Sequence, residues 1–281
     1  IHMSQQSRIL VAFALALTGA LLACSDQSEH ELLESAKGSI SNGDSKKAAI
    51  ELKNLLAANP KSGPGRLVFG ELLLNIGQPP QAEVELRKAI ELGEAKKVIL
   101  PLIAEAMTAQ GKHRALVEEF AEVVIPDDQS ANANLRSNVA LAQLRLGMRD
   151  RAQANIDSVL RVQPQHIPSK MVLARLMTSR GDTESALQVV REIIVKQPQN
   201  IEAMQLEGDL LQHGMKDYAG AMVMYKRVLA IRPDYLPAHS SLISALLTQQ
   251  DLDGAARQSQ TLTQLLRNTP RAKYFEALVA L

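Results

Sequence analysis

The chain has 281 residues, 46% of them hydrophobic, but only 3% are aromatic and tryptophan is absent, so its core must be built from Leu, Ala, Val and Ile. Its 31 basic and 30 acidic residues give a formal charge of +1, which leaves no electrostatic footprint for nucleic acid or anionic lipid. The scarcity of aromatics also argues against base or sugar stacking, and one cysteine, Cys24, excludes an internal disulfide framework.

In chain order, Ile1-His2-Met3 reads as a cloning remnant, and residues 4–23 read as a lipoprotein signal peptide. Arg8 precedes an apolar run from Ile9 to Leu22, which is shorter than the roughly 20 residues a membrane span needs. A short apolar run after a basic residue and before small residues is a secretory signal. The run ends in Leu21-Leu22-Ala23-Cys24, which resembles a bacterial lipobox. That resemblance implies cleavage before Cys24, a diacylglycerol on its sulfur and acylation of the new amino group. Residues 24–28 would then be a tether, and two or more acyl chains would make the anchoring stable. The alternative is an ordinary signal peptide with an incidental cysteine. Ser25 after the anchor, by the usual Gram-negative sorting preference, points to the outer membrane and a periplasmic array.

From residue 29 onward the chain repeats itself. Turn glycines stand at Gly43, Gly77, Gly111, Gly147, Gly181 and Gly214, spaced 34, 34, 36, 34 and 33 residues apart. Alanines follow at Ala48, Ala82, Ala152, Ala186, Ala221 and Ala255, and prolines close units at Pro60, Pro164, Pro198 and Pro233. This is the tetratricopeptide period, with an alanine where two antiparallel helices come closest. The predicted fold is all-α: a superhelical solenoid of helix pairs over 29–62, 63–96, 97–132, 133–166, 167–200, 201–235 and 236–270, with a truncated eighth unit at 271–281. Gly70 is placed at a first-helix crossing, and Pro79-Pro80 in the first turn of a second helix, where a missing N–H does no harm. Helices are expected over Ile99–Met107 and Leu116–Val124. The third unit is irregular, because Leu116 stands where Ala is expected and Val124-Ile125-Pro126-Asp127-Asp128 replaces the usual ending. A changed helix angle or a longer loop at 125–132 should result. Gly214-Met-Lys-Asp-Tyr218 holds one inserted residue, and Gln250-Asp251 lies in the turn of the seventh unit. The severed, apolar end from Arg271 to Leu281 suggests a fragment of a longer array.

No catalytic constellation is present. The six histidines are scattered, there is no H-E-x-x-H, P-loop, G-x-S-x-G or Cys/His dyad, and no cofactor or metal site is expected. Acidic pairs such as Glu118-Glu119 and Asp127-Asp128 read as a solvated face and a turn, and the methionines as core. What remains is the groove lined by the first helix of each pair. Aligned units place Glu71, Glu105, Leu141, Arg175, Asp209 and Ser244 at one groove position, and Leu74, Thr108, Leu144, Thr178, Gln212 and Leu247 one turn further. Arg175, Gln205, Asp209 and Gln212 could meet a partner's backbone, or could simply be solvated. The basic carboxylate clamp of chaperone-binding members does not appear at these positions.

Ala48-Ala-Ile-Glu-Leu-Lys-Asn-Leu-Leu-Ala-Ala-Asn-Pro60, Glu71-Leu-Leu-Leu, Ala82-Glu-Val-Glu-Leu-Arg-Lys-Ala89, Val98-Ile-Leu-Pro-Leu-Ile-Ala-Glu-Ala106 and Lys273-Tyr-Phe-Glu-Ala-Leu278 follow the lipobox. Together they resemble the PrsT family, the TPR-repeat lipoproteins of XrtA-type PEP-CTERM/exosortase systems. The resemblance implies an envelope scaffold for protein partners in exopolysaccharide biosynthesis and export and in PEP-CTERM surface sorting. It carries no catalytic residues over. The other function to weigh is a subunit that contacts polysaccharide, or supports an enzyme that does; the lack of aromatics disfavours direct sugar contact.

Overall fold

The computed structural model describes residues 28–266. Cys24, the signal segment, all but the last residue of the tether and the truncated eighth unit lie outside them. The described residues form fourteen α-helices, one π-helical turn and no strand. The described residues divide into two compact units, the first ending at Ala106 and the second beginning at Met107. In the first are α1 (Glu29–Ser41), α2 (Ser45–Ala58), α3 (Gly63–Asn75) and α4 (Pro79–Glu91), with the boundary falling inside α5 (Lys96–Ala109). The second begins with α6 (His113–Phe120), α7 (Gln129–Arg145), α8 (Arg149–Val162), α9 (Ile167–Ser179) and α10 (Thr183–Lys196). It continues with α11 (Ile201–Asp209), the π-turn Leu210–Met215, α12 (Tyr218–Ile231), α13 (Leu236–Thr248) and α14 (Leu252–Leu266).

Each unit is built from hairpins that lean on their neighbours. In the first unit α1 packs on α2, α3 on α4, and α2 on α3. In the second, α7 pairs with α8, α9 with α10, α11 with α12 and α13 with α14, and each hairpin packs on the next. The close crossings fall where the alanine pattern places them: Ala48, Ala82, Ala152, Ala186, Ala221 and Ala255 have no solvent exposure. Facing them, Gly70 leaves room for Leu86, whose Cγ lies 2.6 Å from where a Cβ on Gly70 would stand. Leu33, Leu52, Leu55, Leu72 and Leu73 make the aliphatic core of the first unit. Met204, Leu210, Tyr225, Val228 and Ile243 belong to the largest core of the second.

The turns explain the punctuation. Gly43, Gly77, Gly111, Gly147 and Gly181 all have φ of 72–81°, the left-handed region in which a Cβ is strained. After Gly43 and Gly181 an aspartate then caps the next helix: Asp44 Oδ1 accepts from Lys47 N (3.0 Å) and Asp182 Oδ1 from Ser185 N (3.2 Å).

Three local expectations are corrected. The helix beginning near Leu116 stops at Phe120, not Val124, and a loop over 121–128 follows, so α7 starts at Gln129 with Asp128 as its cap. Pro126 holds Ile125 away from helical backbone. Ile125 is instead buried, and its N–H donates to Asn132 Oδ1 at 3.0 Å. Gly214 is not the left-handed residue of its turn; the inserted residue is absorbed by the π-turn, and Lys216, at φ 58°, takes that conformation. Not every methionine is core, since Met148 and Met215 are exposed.

Candidate functional site

In the second unit the first helices α7, α9, α11 and α13 share one face, with α7 packed against α9 and α11 against α13. Arg175 projects from α9, Gln205 and Asp209 from α11, Gln212 from the π-turn, and Ser244 from α13. Glu71 and Glu105 belong to α3 and α5 of the first unit. Glu105 is exposed, whereas Glu71 is half-buried, and burial raises its carboxyl pKa against the charge of Lys37.

The polar residues of α11 and the π-turn bond chiefly to one another. Asp209 Oδ1 accepts from Gln205 Nε2 (2.9 Å), from the Tyr225 hydroxyl (3.0 Å) and, weakly, from Ser241 Oγ (3.4 Å). Gln205 Nε2 also donates to Ser241 Oγ at 3.0 Å. The Tyr225 hydroxyl lies 2.9 Å from Gln212 Oε1, and Gln212 Nε2 donates to Ser244 Oγ at 3.2 Å. Burial raises the Asp209 pKa, and the bonds from Tyr225, Gln205 and Ser241, with the charge of His213, oppose it. Burial, then the charge of Asp209, raises the Tyr225 hydroxyl pKa well above the ordinary phenol value. Gln205 Oε1 is left buried without a partner. Gln205 and Gln212 are therefore spoken for on their donor sides, and the network ties α11 to α12 and α13.

Sequence reasoning did not single out Tyr225 and Ser241 as partners of Asp209. A usable signal was the pairing of Gly208 with Tyr225: a Cβ on Gly208 would fall onto the Tyr225 ring. Arg145 was also missed, because the aligned groove positions on that helix are Leu141 and Leu144, and the second of them is one residue before it.

Arg145 matters because of its position beside Arg175. Leu144, Arg145, Arg175, Thr178, Ser179 and Leu206, from α7, α9 and α11, line a pocket of about 360 Å³ in the shared face. Burial lowers the Arg175 guanidinium pKa from its ordinary value; Arg145 acts in the same direction, while Glu202 and Asp209 act against it. Among the described residues neither arginine has an ion pair or hydrogen bond. A larger open pocket of about 680 Å³ lies beside α10, lined in part by Leu187, Val195 and Met215. On its charged rim Lys170 pairs with Glu192 at 2.9 Å and Arg191 with Glu207 at 2.8 Å. Among the described residues no group of three or more His, Cys, Asp or Glu could hold a metal ion, and no helix is long and apolar enough to cross a membrane.

This architecture, helical hairpins that pack on their neighbours within each unit, is that of the tetratricopeptide-repeat fold. The family profile described as tetratricopeptide repeat matches residues 212–280. A tetratricopeptide repeat protein from Parabacteroides merdae is similar, with TM-score 0.65 and 19% identity over 91% of this chain and 100% of that one. Similar too is the Cut9–Hcn1 hetero-tetramer of the APC/C, with TM-score 0.61 and 13% identity over 94% of this chain and 52% of that one. Among curated proteins, the protein O-mannosyl-transferase TMTC3 of Homo sapiens is 21% identical over 243 residues, covering 74% of this chain and 26% of that protein. At these identities the structural likenesses establish the fold alone.

Proposed function

We propose that this chain is a non-catalytic, lipid-anchored scaffold of the bacterial envelope. It holds protein partners that build and export exopolysaccharide and sort PEP-CTERM proteins to the surface. Supporting the system-level part is the run of residues that resembles that lipoprotein family, together with the lipobox ending at Cys24. The interaction role rests on one observation above all: the first-helix face of the second unit carries a pocket with two guanidiniums that the described residues leave unpaired. The partial match to TMTC3 does not bring a transferase activity with it.

Photo-crosslinking in envelope preparations tests this reading. A photoreactive side chain placed at exposed Ser244, in the groove, should capture a discrete partner. The same group at Val195, on the outer helix α10, should not. Cys24→Ser should abolish incorporation of labelled palmitate and release the protein from the membrane fraction. Equal capture from both faces would remove the groove from the reading, and unchanged palmitate labelling would remove the anchor.

A further inference from the structure

The overall charge is near neutral, so any footprint for anionic lipid is local, and the first hairpin holds one. Its acids are all engaged. Glu29 accepts from Ser62 Oγ, Glu31 from Ser28 N (2.9 Å), and Glu34 pairs with Lys37 at 2.9 Å. Asp44 caps α2. Glu51, the one acid within α2, is turned to α1, where Ser35 and Ser39 donate to it at 2.9 and 2.7 Å. Lys46, Lys53 and Lys61, by contrast, are exposed and have no bonded anion among the described residues. Around the helix Ile50 stands opposite the buried Ala48, Leu52 and Leu55, and it is 60% exposed. Lys46 and Lys53 flank it, one turn before and one turn after, so the outer face of α2 is an aliphatic side chain set among unneutralised cations.

We propose that this face of α2 rests on the anionic phospholipid surface of the membrane that holds the anchor, with Ile50 entering the interface and Lys46, Lys53 and Lys61 meeting lipid phosphates. This extends the lipid-anchored reading and rests on it for the choice of membrane. Covalent geometry permits the contact. The chain from Cys24 to Ser28 reaches at most about 14 Å, so α1 starts close to the acyl chains, and α2 is the helix packed on it. Lysines held near an anionic bilayer are attracted to its surface potential, and an aliphatic side chain between them adds apolar burial. Four other outer helices do not offer this combination. Exposed acids stand on the same face at Glu91 of α4, Asp157 of α8, Glu184 of α10 and Asp253 of α14. In α12, Val223 lies beside Lys226 and Arg227 without an acid, but that helix belongs to the unit further along the chain from Cys24. Seating α2 on lipid turns α1 and α3, which pack on each other, away from the bilayer and leaves their face open to protein partners.

The test measures partition of the full chain onto vesicles of phosphatidylcholine, alone or with one quarter phosphatidylglycerol. All samples carry Cys24→Ser, so no acyl chain contributes. The chain should prefer the anionic vesicles, and the preference should shrink as salt is raised. Lys46→Gln combined with Lys53→Gln should lower partition onto the anionic vesicles about 25-fold, at about 5-fold for each lysine near such a surface, and leave the neutral vesicles unaffected. Ile50→Ser should weaken partition onto both. These positions are exposed, so the Tm should not move and misfolding does not imitate the result. Lys226→Gln combined with Arg227→Gln, in α12, should change nothing. If the α2 pair has no effect, or the α12 pair costs as much, the face assignment is overturned. Such a failure leaves the anchor to palmitate labelling, since Cys24 is absent from this assay. A chain that partitions as expected but takes up no palmitate keeps the face and loses the anchor. Binding of poly-glutamate through Lys46 and Lys53, with no preference for anionic vesicles, would replace the bilayer by an acidic protein.

Discussion

Gly208 and Tyr225 show how one missing carbon sets a site. The Tyr225 ring is fully buried and its hydroxyl lies between Asp209 and Gln212, so it cannot retreat from a new methyl group. Gly208→Ala should therefore destabilise by about 1–3 kcal/mol, the usual scale of overpacking. That exceeds the roughly 1 kcal/mol gained from helix propensity. Gly38→Ala in α1, where a Cβ meets nothing within 4 Å, should instead raise the Tm. Thermal melts of the two variants should move in opposite directions. His166 supplies a pH dependence. Its Nδ1 caps α9 by accepting from Ser169 N (3.3 Å), and its Nε2 lies 3.0 Å from Asn134 Oδ1. Burial lowers its pKa, so the folded state refuses a proton that the unfolded chain accepts. Stability should be fully present above the ordinary imidazole value of about 6.5 and should fall as pH drops below it. Urea midpoints at pH 7.5 and 5.5 measure the loss. His166→Asn, which keeps a cap, should shrink the difference without abolishing it, because burial also lowers the pKa of His113.

At the scale of the element, a turn can absorb an extra residue if one residue accepts a left-handed backbone. The inserted residue before α12 widens the end of α11 into a π-turn, and Lys216 carries φ 58° where the earlier hairpins use glycine. Lys216→Gly should therefore stabilise the protein by about 1 kcal/mol, read as a raised Tm, since the residue is exposed and loses only a strained conformation. An unchanged or lowered Tm would show that the lysine side chain contributes something that the backbone argument omits. The loop at 121–128 is the contrasting solution. There Pro126 ends the helical run, and buried Ile125 anchors the segment by its side chain and its N–H.

At the scale of the whole molecule, the described hairpins of each unit pack on their neighbours, so damage should stay local. Leu52 is fully buried in the core of the first unit. Leu52→Ala should cost about 2–5 kcal/mol there. Hydrogen exchange should then show lost protection in α1–α4, with α11–α13 protected as before. Uniform loss across both units would mean that the chain unfolds as a single cooperative block.

The all-α architecture and the hairpin register were legible in the sequence, because both follow from local rules. A glycine is favoured where φ turns positive, a small side chain where helices cross, and a proline at a helix start; Gly43, Ala48 and Pro79 each state one of these directly. The end of α6 and the π-turn were not legible, since each depends on where a buried side chain such as Ile125 finds room. Nor was the pairing of Arg145 with Arg175. They are thirty residues apart in the sequence, and reach the same pocket only because packing sets α7 beside α9. Which charges are neutralised and which are left open is a property of proximity between helices, and repeat spacing does not encode it.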